Sequence, residues 1–117
     1  METAEEYLRR VHDEIRDRYS GDCLRRAREI ADRLRAAGQS PQLLRYHRES
    51  TVGGERFIEP LTPLMYLGRA GPTWTTHYVC SADSLIYDPI LGTAVAIEDY
   101  SFMMFGKVIE PEYVSPT

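Results

Sequence analysis

The sequence predicts an α+β domain in which N-terminal helices pack on an antiparallel β-sheet. Three observations carry this expectation. Two amphipathic helical periods fill the first third of the chain; after Pro41 the pattern changes to short β-rich runs broken by glycine and proline; and two of those runs are joined so tightly that they form a hairpin. At 117 residues the chain has the size of one domain, 1–117, large enough for a core and too small for two.

Thr3 and Glu6 have capping-box spacing, and Tyr7, Leu8, Val11 and Ile15 then fall on one helical face, which predicts a first helix over 4–18. Ser20-Gly21-Asp22 supplies turn and N-cap residues for a second helix over 22–37. Its apolar stripe is Leu24, Ala27, Ile30, Ala31 and Leu34, and Gly38 is its natural stop. Pro41 cannot continue a helix. Strands are expected over 43–49, 56–59, 64–67, 75–81 and 85–88, with Gly53-Gly54 as a hairpin turn. Residues 96–105 read as a short third helix, although Met103, Met104 and Phe105 also suit a strand, and Val108-Ile109 reads as a last strand.

Composition excludes several classes. Hydrophobic residues at 43% and charged residues at 27% are near globular averages, so disorder is not expected. The longest uncharged stretch, 70–82, contains Pro72 and His77 and does not suit a bilayer, so no membrane partner is expected. The acidic N-terminus lacks an apolar h-region, which implies a cytoplasmic protein or one exported by a route without an N-terminal signal peptide. A net charge of −4 argues against nucleic acid as a partner. Residues 1–56 carry 12 Arg and 11 acids, whereas 57–117 carry 2 basic and 7 acidic side chains. The arginine-rich half nevertheless sets acid before base at i,i+4 in Glu5/Arg9, Glu6/Arg10, Glu14/Arg18, Asp22/Arg26 and Glu29/Arg33, the pattern of a solvated helix face. Two cysteines are too few for a disulfide scaffold, and neither His12 nor His47 has ligands at metal spacing, so no metal and no cofactor is expected.

Cys23 falls just inside the start of the second helix. A thiol there meets the positive end of the helix dipole and unpaired backbone N–H groups, which lower a cysteine pKa from ~8.5 into the ~3.5–7.5 range. The competing account is a small apolar side chain packed under the turn. Farther on, if Ala82-Asp83 is a two-residue turn, paired positions place His77 opposite Asp88 on one face of the hairpin. A carboxylate there can fix the imidazole's tautomer and stabilise its cation, or simply satisfy a buried structural histidine. Cys80, three positions after His77, points to the opposite face and reads as core, which disfavours a Cys23–Cys80 disulfide.

A cysteine opening a helix (Ser20-Gly21-Asp22-Cys23), a histidine on a strand (Thr76-His77-Tyr78-Val79) and an aspartate on the next (Tyr87-Asp88-Pro89) resemble, in this order, the papain-like and transglutaminase-like cysteine enzymes. The resemblance implies a papain/transglutaminase-like core and a Cys23–His77–Asp88 catalytic triad. It implies acyl transfer on an amide, as a glutamine deamidase, amidohydrolase or transglutaminase-like enzyme, with a protein or peptide as substrate. Compact bacterial members include toxins and effectors, for which a cognate inhibitor protein is a further partner. Leu24 stands where many papain-like proteases carry an aromatic, Asp17 where they carry glutamine, and Val79 where transglutaminase-like proteins often carry tryptophan. The second oxyanion donor is therefore unassigned, and Tyr19 and Trp74 are the candidates for substrate binding. The alternative is a catalytically inactive protein-binding module of the same fold.

Overall fold

A computed structural model describes residues 2–15, 22–66 and 74–114. Helix α1 (Ala4–Ile15) starts on the expected capping box: Thr3 N–H donates to Glu6 Oε1 at 3.2 Å and Glu6 N–H to Thr3 Oγ1 at 3.1 Å. Tyr7, Leu8, Val11 and Ile15 form its buried face. Helix α2 (Cys23–Ala36) buries Ala27, Ile30, Ala31 and Leu34 and ends as expected at Gly38. Gly38 takes a left-handed φ of +84° while the N–H of Gln39 bonds the carbonyl of Leu34. The helices are fastened to one another by Tyr7, whose hydroxyl donates to Glu29 and whose ring lies under the Arg33 guanidinium at 4.4 Å. Arg33 in turn reaches Glu2 at 3.0 Å.

The strands are β1 (Gln42–Tyr46), β2 (Arg48–Val52), β3 (Glu55–Glu59), β4 (His77–Ala82), β5 (Leu85–Tyr87), β6 (Ala94–Ala96) and β7 (Glu112–Val114). Five of them form an antiparallel sheet in the order β6-β5-β4-β1-β7, so β4 is its central strand. The α2 helix packs against β4, and α1 packs against α2. Strands β2 and β3 make a separate two-stranded hairpin through Gly53-Gly54, both at positive φ, as the Gly-Gly pair requires. Helix α3 (Ile97–Phe105) follows β6 directly and stops at Gly106, whose N–H bonds the Phe102 carbonyl at 2.9 Å. Met103, Met104 and Phe105 are thus helical. The class is α+β with helices packed on the sheet, and no helix among the described residues is long and apolar enough to cross a membrane.

The structure departs from expectation at five points, the first being the strand expected over 43–49, which breaks at His47 into β1 and β2 of different sheets. The run expected as a strand over 64–67 forms a 3₁₀ turn at Leu64–Tyr66, because Thr62-Pro63 places it outside any ladder and it packs on α3 instead. The last strand is β7, not Val108-Ile109; Ile109 is anchored in the core by its N–H on Ser101 Oγ, and pairing with β1 begins only at Glu112. Strand β6 was unexpected, since Ala94-Val95-Ala96 has no strong β pattern and forms by pairing with β5. The β4–β5 turn is Asp83-Ser84, both left-handed at φ 51° and 64°, so the register pairs Cys80 with Tyr87 and Ser81 with Ile86. This displaces the expected pairing by two residues. Because side chains alternate with period two, such a displacement keeps every residue on its face.

Candidate active site

Cys23 is the first residue of α2, where the N–H groups of the opening turn have no carbonyl within the helix to bond. The side chain of the preceding Asp22 does not cap them: the residue stands at φ 106° with no side-chain bond to a backbone N–H of the helix, and its carboxylate pairs with the Arg25 guanidinium at 3.2 Å. Both cysteines are free thiols. Tyr19, expected near this point, lies outside the described residues.

His77 opens β4 and is buried to 1% exposure. Its Nε2–H donates to Asp88 Oδ2 at 2.8 Å, two side chains that are each only 2% exposed. With the register observed, Asp88 is a diagonal rather than a direct cross-strand neighbour of His77, on the same face and just past the end of β5. Asp88 heads a turn of its own making: Oδ1 accepts from Ile90 N–H at 3.0 Å, and its main-chain carbonyl accepts from Leu91 and Gly92. Helix α1 braces this turn through His12, whose Nδ1–H donates to the Pro89 carbonyl at 3.0 Å, with the His12 ring packed closely over Gly92.

The other imidazole nitrogen, Nδ1, is buried and makes no hydrogen bond of good geometry with any described atom. Cys23 lines the same cavity as the His77 ring, close enough for each group to alter the other's titration. Catalytic hydrogen bonds are often imperfect in a resting site and tighten with substrate. Burial by itself pushes the Cys23 thiol up, but the hydrogen bonding and charge of His77, together with the Tyr78 N–H, bring it below the ordinary cysteine value. Burial likewise opposes the His77 cation; the Asp88 charge and hydrogen bond, helped by Cys23, outweigh it and push His77 up to about 9. Burial raises Asp88, yet the His77 charge and hydrogen bond, then Tyr100 and the Ile90 N–H, hold it below the usual carboxylate range. At neutral pH the arrangement is therefore an imidazolium between a carboxylate and a thiol poised to ionise. Cys80 has no such partner: it is fully buried and pushed up to about 12.

Aromatic rings close the site. Trp74 is half-buried and held by paired backbone bonds to Leu61 at 2.7 and 2.8 Å. Phe105 meets both its ring and the His77 ring edge-on. Between Cys23, Arg26, His77, Asp88 and Ile90 lies a cavity of about 10 Å³, room for a single water-sized group. Among the described residues no cluster of three or more histidines, cysteines or acids is placed to hold a metal ion.

Of the residues singled out from the sequence, Cys23, His77 and Asp88 converge and Trp74 adjoins them. Sequence reasoning missed Tyr100, whose hydroxyl donates to Asp88 Oδ2, and the buried Arg26. Arg26 follows Cys23 by one helical turn, a spacing that could have flagged it; Tyr100 reaches the site only through the packing of α3. No family model, no characterised protein and no solved structure matches this chain.

Proposed function

We propose that this chain is a cysteine-dependent acyl-transfer enzyme of the papain/transglutaminase-like type, acting on the carboxamide of a protein or peptide. One observation carries the reading: a buried imidazole bonded through Nε2 to Asp88 lies close enough to a thiol at a helix start for each to alter the other's titration.

In this reading the Cys23 thiolate adds to the amide carbon, and the oxyanion is received by N–H groups at the start of α2. The C–N bond then breaks as His77 gives its proton to the departing nitrogen, leaving a thioester on Cys23 and ammonia or an amine in solution. Neutral His77 next takes a proton from water, or from an acceptor amine, as it attacks the thioester. Collapse returns the thiol and releases an acid or a new amide. Asp88 keeps the imidazole aimed throughout and stabilises its cation.

A second reading, a protein-binding module without catalysis, is favoured by the small cavity, which as it stands admits no side-chain amide. One experiment separates the two: incubation with a panel of glutamine-containing peptides, with and without a primary amine, followed by mass spectrometry and ammonia measurement. Turnover that vanishes in Cys23→Ala and His77→Gln, with the fold intact, supports the enzyme. Absence of turnover and of any Cys23 thioester supports the module.

A further inference from the structure

Asp88 Oδ2 receives two hydrogen bonds inside the protein: one from His77 Nε2–H at 2.8 Å, the other from the Tyr100 hydroxyl. Tyr100 comes from α3, an element that contributes nothing to the triad, and it is completely buried. Its ring is fixed by Tyr46 at 5.1 Å and by Phe105 edge-on at 6.4 Å, so the hydroxyl has little freedom to turn elsewhere. Facing an ionised carboxylate, it can act only as donor.

We propose that Tyr100 is a positioning residue: by sharing Oδ2 with His77 it withdraws part of the carboxylate's hydrogen-bonding power and so sets how tightly the imidazole keeps its proton. This rests on the acyl-transfer reading for its catalytic meaning, but not for its effect on His77. An aspartate serving His77 alone stabilises the cation more strongly, and a histidine that holds its proton too firmly is a poor general acid toward a leaving amine. The hydroxyl moderates that hold. Among the described residues, the other titratable or charged groups around this pair are Cys23 and Arg26 from α2, Tyr46 from β1, Tyr78 from β4 and Tyr87 from β5. Among the described residues, the hydrogen bonds on Oδ2 are those of His77 and Tyr100.

The test is Tyr100→Phe, which keeps the ring and its packing while removing the hydroxyl. The His77 titration midpoint is read from its imidazole proton resonances, assigned by comparison with His77→Gln, alongside kcat and KM for any amide substrate turned over. The expected result is an upward displacement of the midpoint by about 0.5–1 pH unit, the size of one hydrogen bond. The alkaline limb of kcat moves with it, kcat at neutral pH falls by up to about tenfold, and KM is unchanged. A variant that melts earlier but titrates like the wild type overturns the inference and leaves Tyr100 a core residue. If the wild type turns over no amide yet the midpoint moves in Tyr100→Phe, the acyl-transfer reading fails while the coupling of Tyr100 to His77 stands. An unmoved midpoint defeats the inference whether or not the wild type is active.

Discussion

The Trp74 indole lies flat on the His77 imidazole, with ring centroids 4.0 Å apart and planes within 7° of parallel. A cationic imidazole on an indole face is favoured by the ring quadrupole, and the stack also keeps water off one side of the histidine. Trp74 is the only tryptophan in the chain. Because an imidazolium quenches a stacked indole more strongly than neutral imidazole does, tryptophan emission reports the charge of His77. We expect emission to rise as pH passes through about 9, where His77 loses its proton, and the transition to disappear in His77→Gln. A flat profile in the wild type contradicts a cationic His77 at neutral pH.

The two thiols are expected to separate by reactivity. Cys23 is half-buried with its ionisation favoured by His77, whereas Cys80 is fully buried and titrates near 12. The thiolate fraction falls tenfold for each pH unit by which the pKa exceeds the ambient pH, so iodoacetamide at neutral pH should label Cys23 at least about 100-fold faster. Peptide mapping of the alkylated protein checks this, and equal slow labelling of both thiols contradicts it. His77→Gln should slow Cys23 labelling while leaving Cys80 unchanged.

The His77–Asp88 pair gives stability a pH dependence of defined sign. The folded state holds the His77 proton up to about 9 against 6.5 for an ordinary histidine, so this contribution is complete below about 6.5 and is lost as pH rises from there through 9. Asp88 is displaced downward from 3.8, so its contribution is present above that value and is lost as pH falls through its lowered one. Melting temperature should therefore plateau in the mildly acidic range and fall on either side. In Asp88→Asn the buried imidazolium loses its counter-charge, His77 titrates well below 9, and the alkaline decline in melting temperature flattens.

Gly92 is predicted to be intolerant of a side chain. It stands at φ +75°, and a Cβ there would lie 2.8 Å from the His12 ring, itself bonded to the turn that carries Asp88. Gly92→Ala should cost about 2 kcal/mol or more, from left-handed strain and steric overlap together. It should also shift the His77 resonances, because displacing His12 moves the Pro89 carbonyl and with it the turn. Thermal melting and the same imidazole titration check both effects. Gly38→Ala is the control: it has similar backbone strain with nothing within 4 Å, so His77 should be untouched.

The parts of the fold legible in the sequence are those governed by local chemistry. The Thr3–Glu6 box, the stripe from Ala27 to Leu34 and the stop at Gly38 each depend on residues a few positions apart, and each is where the pattern places it. The His77–Asp88 pairing is legible for a related reason. A turn at Asp83-Ser84 in place of Ala82-Asp83 displaces the pairing by two positions, and a displacement by two leaves His77 and Asp88 on a common face. The diagonal relation depends on left-handed backbone at both Asp83 and Ser84, which aspartate tolerates and serine does not signal. What stayed hidden depends on distant packing. Nothing local in Ile97–Phe105 says that Tyr100 reaches Asp88 or that Phe105 meets His77, and the Leu64–Tyr66 turn takes its form from α3 rather than from its own β-prone residues.

Among the described residues, the β2–β3 hairpin contributes none to the hydrophobic core and its strands pair only with each other, while β4 is flanked on both sides and covered by α2. The molecule therefore has two regions under unlike constraint. Residues 48–59 can exchange sequence, length or cargo at little cost to the rest, as exposed segments that share few contacts with a core generally do. The strand carrying His77 has no such latitude. Grafting a peptide epitope or a second binding specificity onto this chain should begin at Gly53-Gly54, on an arm whose alteration leaves the Cys23–His77–Asp88 framework where it is.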